Sequence, residues 1–190
     1  MSMILESLNS HIAAVKSVEA LEPSIKAAAD RVTDTLQRGG TILLMGNGGS
    51  AADSQHLAAE LVGRFKMERR GLAAIALTTD TSILTAIAND YGAARIFARQ
   101  VEALGRPGDC VFGISTSGNS ADVIEAFKTA REIGCLTIGL LGGDGGRMLP
   151  LCDLSIVVAS NDTPRIQECQ ILIGHIICDL VERGVVAHAP

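Results

Sequence analysis

Two short loops carry much of the chemistry that this sequence could perform. Gly46-Asn47-Gly48-Gly49-Ser50 follows an apolar run and opens a helical stretch; Ser115-Thr116-Ser117-Gly118-Asn119-Ser120 does the same further on. Glycines in the first loop let the backbone approach a ligand closely. The helix behind it offers free N–H groups and the positive end of its dipole. Those features suit contact with a polyol or a carbonyl oxygen. The second loop sets four hydroxyls within six residues, with no Lys or Arg among them. Neutral donors at a helix start suit a small phosphate monoester, whereas a helix cap alone needs only one hydroxyl.

Other phosphate chemistries fit less well. Gly46, Gly48 and Ala51 satisfy the dinucleotide pattern GxGxxG/A, but a ribose-binding acid should follow about 20 residues later. The nearest candidate, Asp80, lies 29 residues beyond Ala51. A Walker A loop fails because no Lys follows the glycines.

A second constellation has the residue types of a metal site. His56 and Glu60 are four apart on one helical stretch, with Asp53 a turn earlier. One face carries both, so they could share an ion or form an ordinary solvated pair. Gln167 and His175 sit among apolar residues of the final helical stretch. A histidine in such a place is more often a satisfied core residue. Their spacing of eight puts the Cα atoms about 12 Å apart, with roughly 80° between their directions. Joint ligation would require Gln167 to reach forward while His175 leans back. Asp179, one turn beyond His175, is either an orienting partner for the imidazole or an exposed helix-end acid.

These residues need elements to hold them, and the apolar pattern supplies a doubly wound α/β domain. Short apolar runs at Thr41–Met45, Ala73–Leu77, Cys110–Ile114, Leu136–Leu140 and Leu154–Val158 read as strands buried on both faces. Helical stretches lie between them at Ala51–Arg64, Ile83–Asn89, Ala94–Leu104 and Ala121–Ile133. That alternation implies right-handed crossovers and a five-stranded parallel sheet, with the two loops at carboxyl ends of strands, where such sheets bind ligands. We expect one domain over residues 1–190: a helical segment over 1–38, then sheet and covering helices over 41–183. In the first segment Leu5, Leu8, Ile12 and Val15 form one apolar stripe, and Leu21, Ile25, Ala28, Val32 and Leu36 another, stopped by Gly39-Gly40. The last helix, Pro164 to Glu182, is apolar around most of its circumference, which predicts packing between subunits.

Composition narrows the function classes. The chain has 190 residues, 47% hydrophobic and 19% charged, with 16 basic against 21 acidic residues. A net charge of −5, one Tyr, four Phe and no Trp leave little with which to bind nucleic acid. The longest apolar run, Leu72–Leu77, is six residues, short of the roughly 20 of a membrane helix. No signal peptide is legible at the N-terminus. Cys110, Cys135, Cys152, Cys169 and Cys178 are widely spaced and odd in number, so they are expected as reduced core residues of a cytoplasmic protein.

Taken together, GNGGSAADSQHLAAEL, LTAIANDYG, GISTSGNS and TPRIQECQILIGH resemble the phosphoheptose isomerase family of the sugar isomerase (SIS) fold. The resemblance runs over nearly the whole chain and rests on four motifs in order. It implies a flavodoxin-like SIS architecture, a homotetramer with active sites between subunits, N-terminal helices at the interface, and zinc. The implied activity converts sedoheptulose 7-phosphate to D-glycero-D-manno-heptose 7-phosphate, feeding heptose to surface lipopolysaccharide. By motif, the zinc ligands would be His56, Glu60, Gln167 and His175, with Glu60 and His175 as the acid/base pair. Sugar contacts would come from Asn47, Gly48, Gly49, Asn89 and Asp90, and the phosphate and nearby hydroxyls would meet Ser115, Thr116, Ser117 and Ser120. One departure is that Pro164 stands where some relatives carry an acid. Relatives that associate with the replication initiator share the loops but lack the Glu and the final His, and this chain keeps both. A sugar-phosphate-sensing regulator would have an attached DNA-binding segment, and none is legible here.

Overall fold

A computed structural model of the chain describes residues 2–187. Its centre is a five-stranded parallel sheet in the order β2-β1-β3-β4-β5: β1 (Ile42–Gly46), β2 (Ala74–Ala76), β3 (Cys110–Ser115), β4 (Leu136–Gly142) and β5 (Leu154–Val158). β1 and β3 sit side by side, Ile42 opposite Cys110 and Gly46 opposite Ile114. Every residue of both is buried, which is why they read as unbroken apolar runs.

The expected β2 is trimmed at both ends, from Ala73–Leu77 to Ala74–Ala76, and it is not buried on both faces, since Ile75 is exposed. An edge strand has one neighbour and less cover, so fewer of its residues are held in the ladder.

Helices cover both faces. On one side α2 (Glu22–Gln37), α3 (Gly49–Val62) and α7 (Thr163–Ala187) share a core with Ile42, Leu44, Phe112, Ile138 and Ile156. On the other, α5 (Ile96–Leu104) and α6 (Ala121–Ile133) enclose Leu43, Met45, Val111 and Leu141. Neighbouring strand residues thus feed opposite cores, the period-two rule of a pleated strand. α4 (Thr81–Tyr91) has no fully buried residue. Short 3₁₀ turns occupy Val18–Leu21, Ala93–Arg95 and Gly146–Leu151.

α1 (Met3–Ser17) lies against α7 and buries none of its residues. Met3, Ile4, Leu5, Leu8 and Ile12 are all exposed, so the apolar stripe read from the sequence faces outward from this chain at Leu5, Leu8 and Ile12, while Val15 packs against the core. α7 is covered only in part. Ile173, Ile177 and Val181 are buried, whereas Leu172, Ile176 and Leu180 line an open groove with Val15, Val18 and Ile25. All five cysteines are free thiols, four of them buried and Cys152 partly so. No helix among the described residues is long and apolar enough to cross a membrane.

Candidate active site

The strand order changes direction between β1 and β3, and the two loops emerge there, at the carboxyl ends of both strands. Asn47 on the glycine loop donates to Asp122 Oδ1 at 3.0 Å, and Asp122 Oδ1 also accepts from Val123 N–H at the start of α6. One carboxylate therefore ties the two loops together. Gly48 adopts φ +55 and ψ −121 as it hands β1 over to α3, a conformation closed to residues with a Cβ. Gly49 packs directly on α7, where an added Cβ would sit 2.7 Å from Gln167 Nε2.

The hydroxyl loop divides its labour. Ser115 is buried; its Oγ accepts from Gly118 N–H and pairs with Ser120 Oγ at 2.9 Å. Ser117 Oγ accepts from Asn119 N–H. Ser120 precedes α6 but makes no side-chain cap bond, so its hydroxyl is not spent on the helix. Thr116 and Ser117 line an open cleft of about 360 Å³ with Ser160, Asn161, Thr163 and Asp144, within the size range of small-ligand pockets. Gly118 turns at φ +63 against the Gly145–Gly146 backbone.

α3 and α7 lie side by side on one face of the sheet. Gln167 meets Gly49, Gly174 meets Leu57 and His175 meets His56. His56 Nε2 stands 3.0 Å from His175 Nε2 and 3.1 Å from Glu60 Oε1. One donor atom from each of His56, Glu60 and His175 falls within 4.8 Å of the others. Two ligands of a tetrahedral zinc ion at about 2.0–2.1 Å lie about 3.3 Å apart. The observed separations come within a few tenths of an ångström of that, and imidazole and carboxylate are zinc's usual ligands. The donor set fits the ion. His175 joins His56 and Glu60 in the cluster, and the Gln167 amide, two turns earlier on α7, lies against Gly49 of the glycine loop.

Asp53 is held near both imidazoles. Burial pushes its carboxyl above the ordinary value, opposed by the charges of His56 and His175. Asn89 and Asp90 lie at the end of α4, where Asn89 Nδ2 donates to Asp90 Oδ1. Both are exposed.

The surroundings of the cluster held surprises. The Phe65 ring stacks on the His175 imidazole, with centroids 5.5 Å apart and planes 22° apart. The buried Glu182 carboxylate accepts from the backbone N–H groups of Phe65, Lys66 and Met67 at 3.0, 2.7 and 2.7 Å. It also pairs with Arg69 Nε at 3.1 Å. Burial alone would raise the Glu182 pKa, but those three donors and the guanidinium outweigh it and hold the carboxyl below its usual range. Asp179 does not orient the imidazole; its oxygens take Lys66 Nζ and Arg183 Nε, both at 2.8 Å. Glu168 bonds Arg165 and accepts from His11 on α1. Arg165, burial and His11 in that order act on its carboxyl, and the net effect is a lowered pKa.

Comparison with known proteins places the chain. A family model for the SIS domain matches residues 7–142. The phosphoheptose isomerase of Trichlorobacter lovleyi is 56% identical over 185 residues, 97% of this chain and 94% of that protein. This chain belongs to the phosphoheptose isomerase family of SIS-domain proteins. It is an isomerase by that membership. The phosphoheptose isomerase structure from Neisseria gonorrhoeae superposes with a TM-score of 0.89 at 46% identity, over 95% of this chain and 97% of that one. That of Francisella tularensis gives 0.92 at 38% identity, over 95% and 96%. The family model ends at Gly142, the last residue of β4, so the α7 half of the cluster falls outside it and within the full-length relatives' match.

Proposed function

We propose that this sugar-phosphate isomerase converts sedoheptulose 7-phosphate to D-glycero-D-manno-heptose 7-phosphate at a zinc site formed by His56, Glu60, Gln167 and His175. The observation that carries the reading is the convergence of His56, Glu60 and His175 from two helices beside the hydroxyl loop. The names of the related proteins point to the same substrate class. Thr116, Ser117 and Ser120 hold the phosphate, with Ser115 shaping their turn. Asn47, Gly48, Gly49, Asn89 and Asp90 contact the sugar hydroxyls.

The reaction moves one proton between carbons and one between oxygens. Glu60 takes the proton from C1, giving an enediolate, and returns it to C2. His175 passes the hydroxyl proton of O1 to O2, so the ketone at C2 becomes a hydroxyl and C1 becomes the aldehyde. Bound zinc would polarise the carbonyl and hydroxyl oxygens and lower the cost of their negative charge. Phosphate held remotely from the reacting carbons fixes their position over Glu60. Because Glu60 is also a ligand, one of its oxygens must remain available to carbon.

The enzyme works as one domain per chain in a cytoplasmic homotetramer, supplying heptose for lipopolysaccharide. The apolar outer face of α1 and the open groove along α7 support assembly of several copies. The rival reading, a non-catalytic protein that associates with the replication initiator, loses ground because Glu60 and His175 are both present. Incubating the protein with sedoheptulose 7-phosphate and following the aldose by NMR tests the activity. Chelation should abolish turnover and zinc should restore it. Full activity of the metal-free protein would remove zinc from the mechanism, and absence of any aldose would refute the reaction.

A further inference from the structure

Two of the three converging side chains are steered by a segment that lies outside the cluster. Residues 63–69 leave α3 just after Glu60, cross to α7, and return toward β2. Three consecutive N–H groups of this strap close on the Glu182 carboxylate, two turns beyond His175 on the same helix. Arg69 completes the closure. Its Nη2 donates to the Glu60 carbonyl at 2.8 Å and its Nη1 to the Leu61 and Gly63 carbonyls at 2.9 and 3.1 Å. Its Nε faces Glu182 Oε1 at 3.1 Å, and both side chains are almost wholly buried. A single guanidinium thus joins the end of the helix that carries Glu60 to the helix that carries His175. Lys66 adds a second strut, bonding Asp179 and lying 5.0 Å from the Phe65 ring centroid.

From this geometry we infer that the strap is a positioning device, in which Glu182 and Arg69 fix the backbone and Phe65 sets the plane of the His175 imidazole. This rests on the proposed metal site. An imidazole carried on a single methylene turns about χ2 with little resistance. Among the described residues no carboxylate or carbonyl hydrogen-bonds to the second ring nitrogen, the usual way in which such a ring is fixed. The Phe65 ring stacked against one face of His175 performs that task instead. Its own backbone N–H is held by Glu182, which fixes the Cα from which the ring projects.

The test compares Phe65→Leu and Phe65→Tyr with wild type in three readouts: zinc dissociation constant by chelator competition, kcat and KM for sedoheptulose 7-phosphate, and the His175 proton resonances of the zinc-free protein. Groups that orient a metal ligand typically control affinity or activity by about 10–100-fold. Phe65→Leu should therefore weaken zinc and lower kcat by about tenfold or more, with KM nearly unchanged. Its His175 resonances should lose the ring-current shift. Phe65→Tyr keeps the ring and should match wild type throughout. If Phe65→Leu does not fold, Phe65→Met fills the same half-buried space without a ring and takes its place. Wild-type zinc affinity and kcat in the ringless variant would overturn the inference. So would a rise in KM at constant kcat, which would make Phe65 a substrate contact, and so would equal damage in Phe65→Tyr. Wild-type protein that neither binds zinc nor isomerises would refute the proposed function itself and this inference with it, whereas those three outcomes refute the inference alone.

Discussion

Gly174→Ala is the most informative single perturbation, because it adds one methyl where the two ligand-bearing helices touch. Gly174 precedes His175, and its Cα faces Leu57, which follows His56. An added Cβ would lie 2.7 Å from Leu57 Cδ2 and 2.8 Å from Cδ1. Ordinary carbon contacts sit at about 3.5–4.0 Å, so about 1 Å of room must be found. Leu57 is itself buried at 3% exposure, so its branched end can yield only into the small void that it lines with Gly174. The helices must therefore part, or the leucine must leave its rotamer. Overpacking of this kind costs about 1–3 kcal/mol, and the better helix propensity of alanine returns about 1 kcal/mol. The net loss of about 0–2 kcal/mol corresponds to about 0–8 °C in Tm for a chain of this size. Geometry suffers more. Parting by about 1 Å would stretch the 3.0 Å His56–His175 separation toward 4 Å, and misplacement on that scale can cost about a hundredfold in rate. The expected result is a protein that melts close to wild type, binds zinc weakly, and turns over about a hundredfold more slowly. Scanning calorimetry, chelator competition and the NMR assay of aldose formation measure the three. Turnover within threefold of wild type would refute the claim that the α3–α7 contact sets the cluster.

Glu60→Gln and His175→Asn should each reduce turnover by about a hundredfold or more, the scale of general acid–base catalysis, while circular dichroism stays native; near-normal rates in either would cancel its assigned role. Glu182→Gln leaves Arg69 buried without its charge partner and should cost about 3–5 kcal/mol in urea unfolding at pH 7. The folded pKa of Glu182 lies below the ordinary value of 4.5, so the wild-type advantage is complete above that value and disappears as pH falls through the lower folded one. A gap between the two proteins that stays constant from pH 6 to pH 3 would contradict this. Leu8→Asp puts a charge on the outward apolar stripe of α1 and should shift the protein toward smaller species in light scattering; an unchanged mass would take that stripe out of the interface.

Much of the architecture was legible because buried strands and glycine loops leave local marks. β5 matched its expected limits, β3 ran one residue further, and β1 was shifted by one residue at both ends. The helix after the glycine loop starts earlier than its apolar pattern suggested, at Gly49 rather than Ala51, since glycines carry no periodicity. β2 resisted because an edge strand is defined by its lack of a second neighbour, which composition does not record. His56 and Glu60 could be paired by spacing alone; His175 could not, being 119 residues from His56. The Glu182 clamp was invisible for a stronger reason. Its partners are backbone N–H groups, which every residue but proline possesses. One signal did exist: an acid amid the apolar residues of the last helix, opposite the arginine-rich stretch that ends in Arg69-Arg70.

The two halves of the cluster are also separated in the order of synthesis. A chain emerging from the ribosome exposes His56 and Glu60 on α3 long before His175 appears, 115 residues after Glu60. Domains generally fold as units, and until α7 is made the chain holds only a two-ligand stub. At the proposed site a metal ion would have little reason to settle on the unfinished polypeptide. The arrival of α7 delivers the third donor and the strap's anchor together, so metal binding at the proposed site would report that the fold has closed.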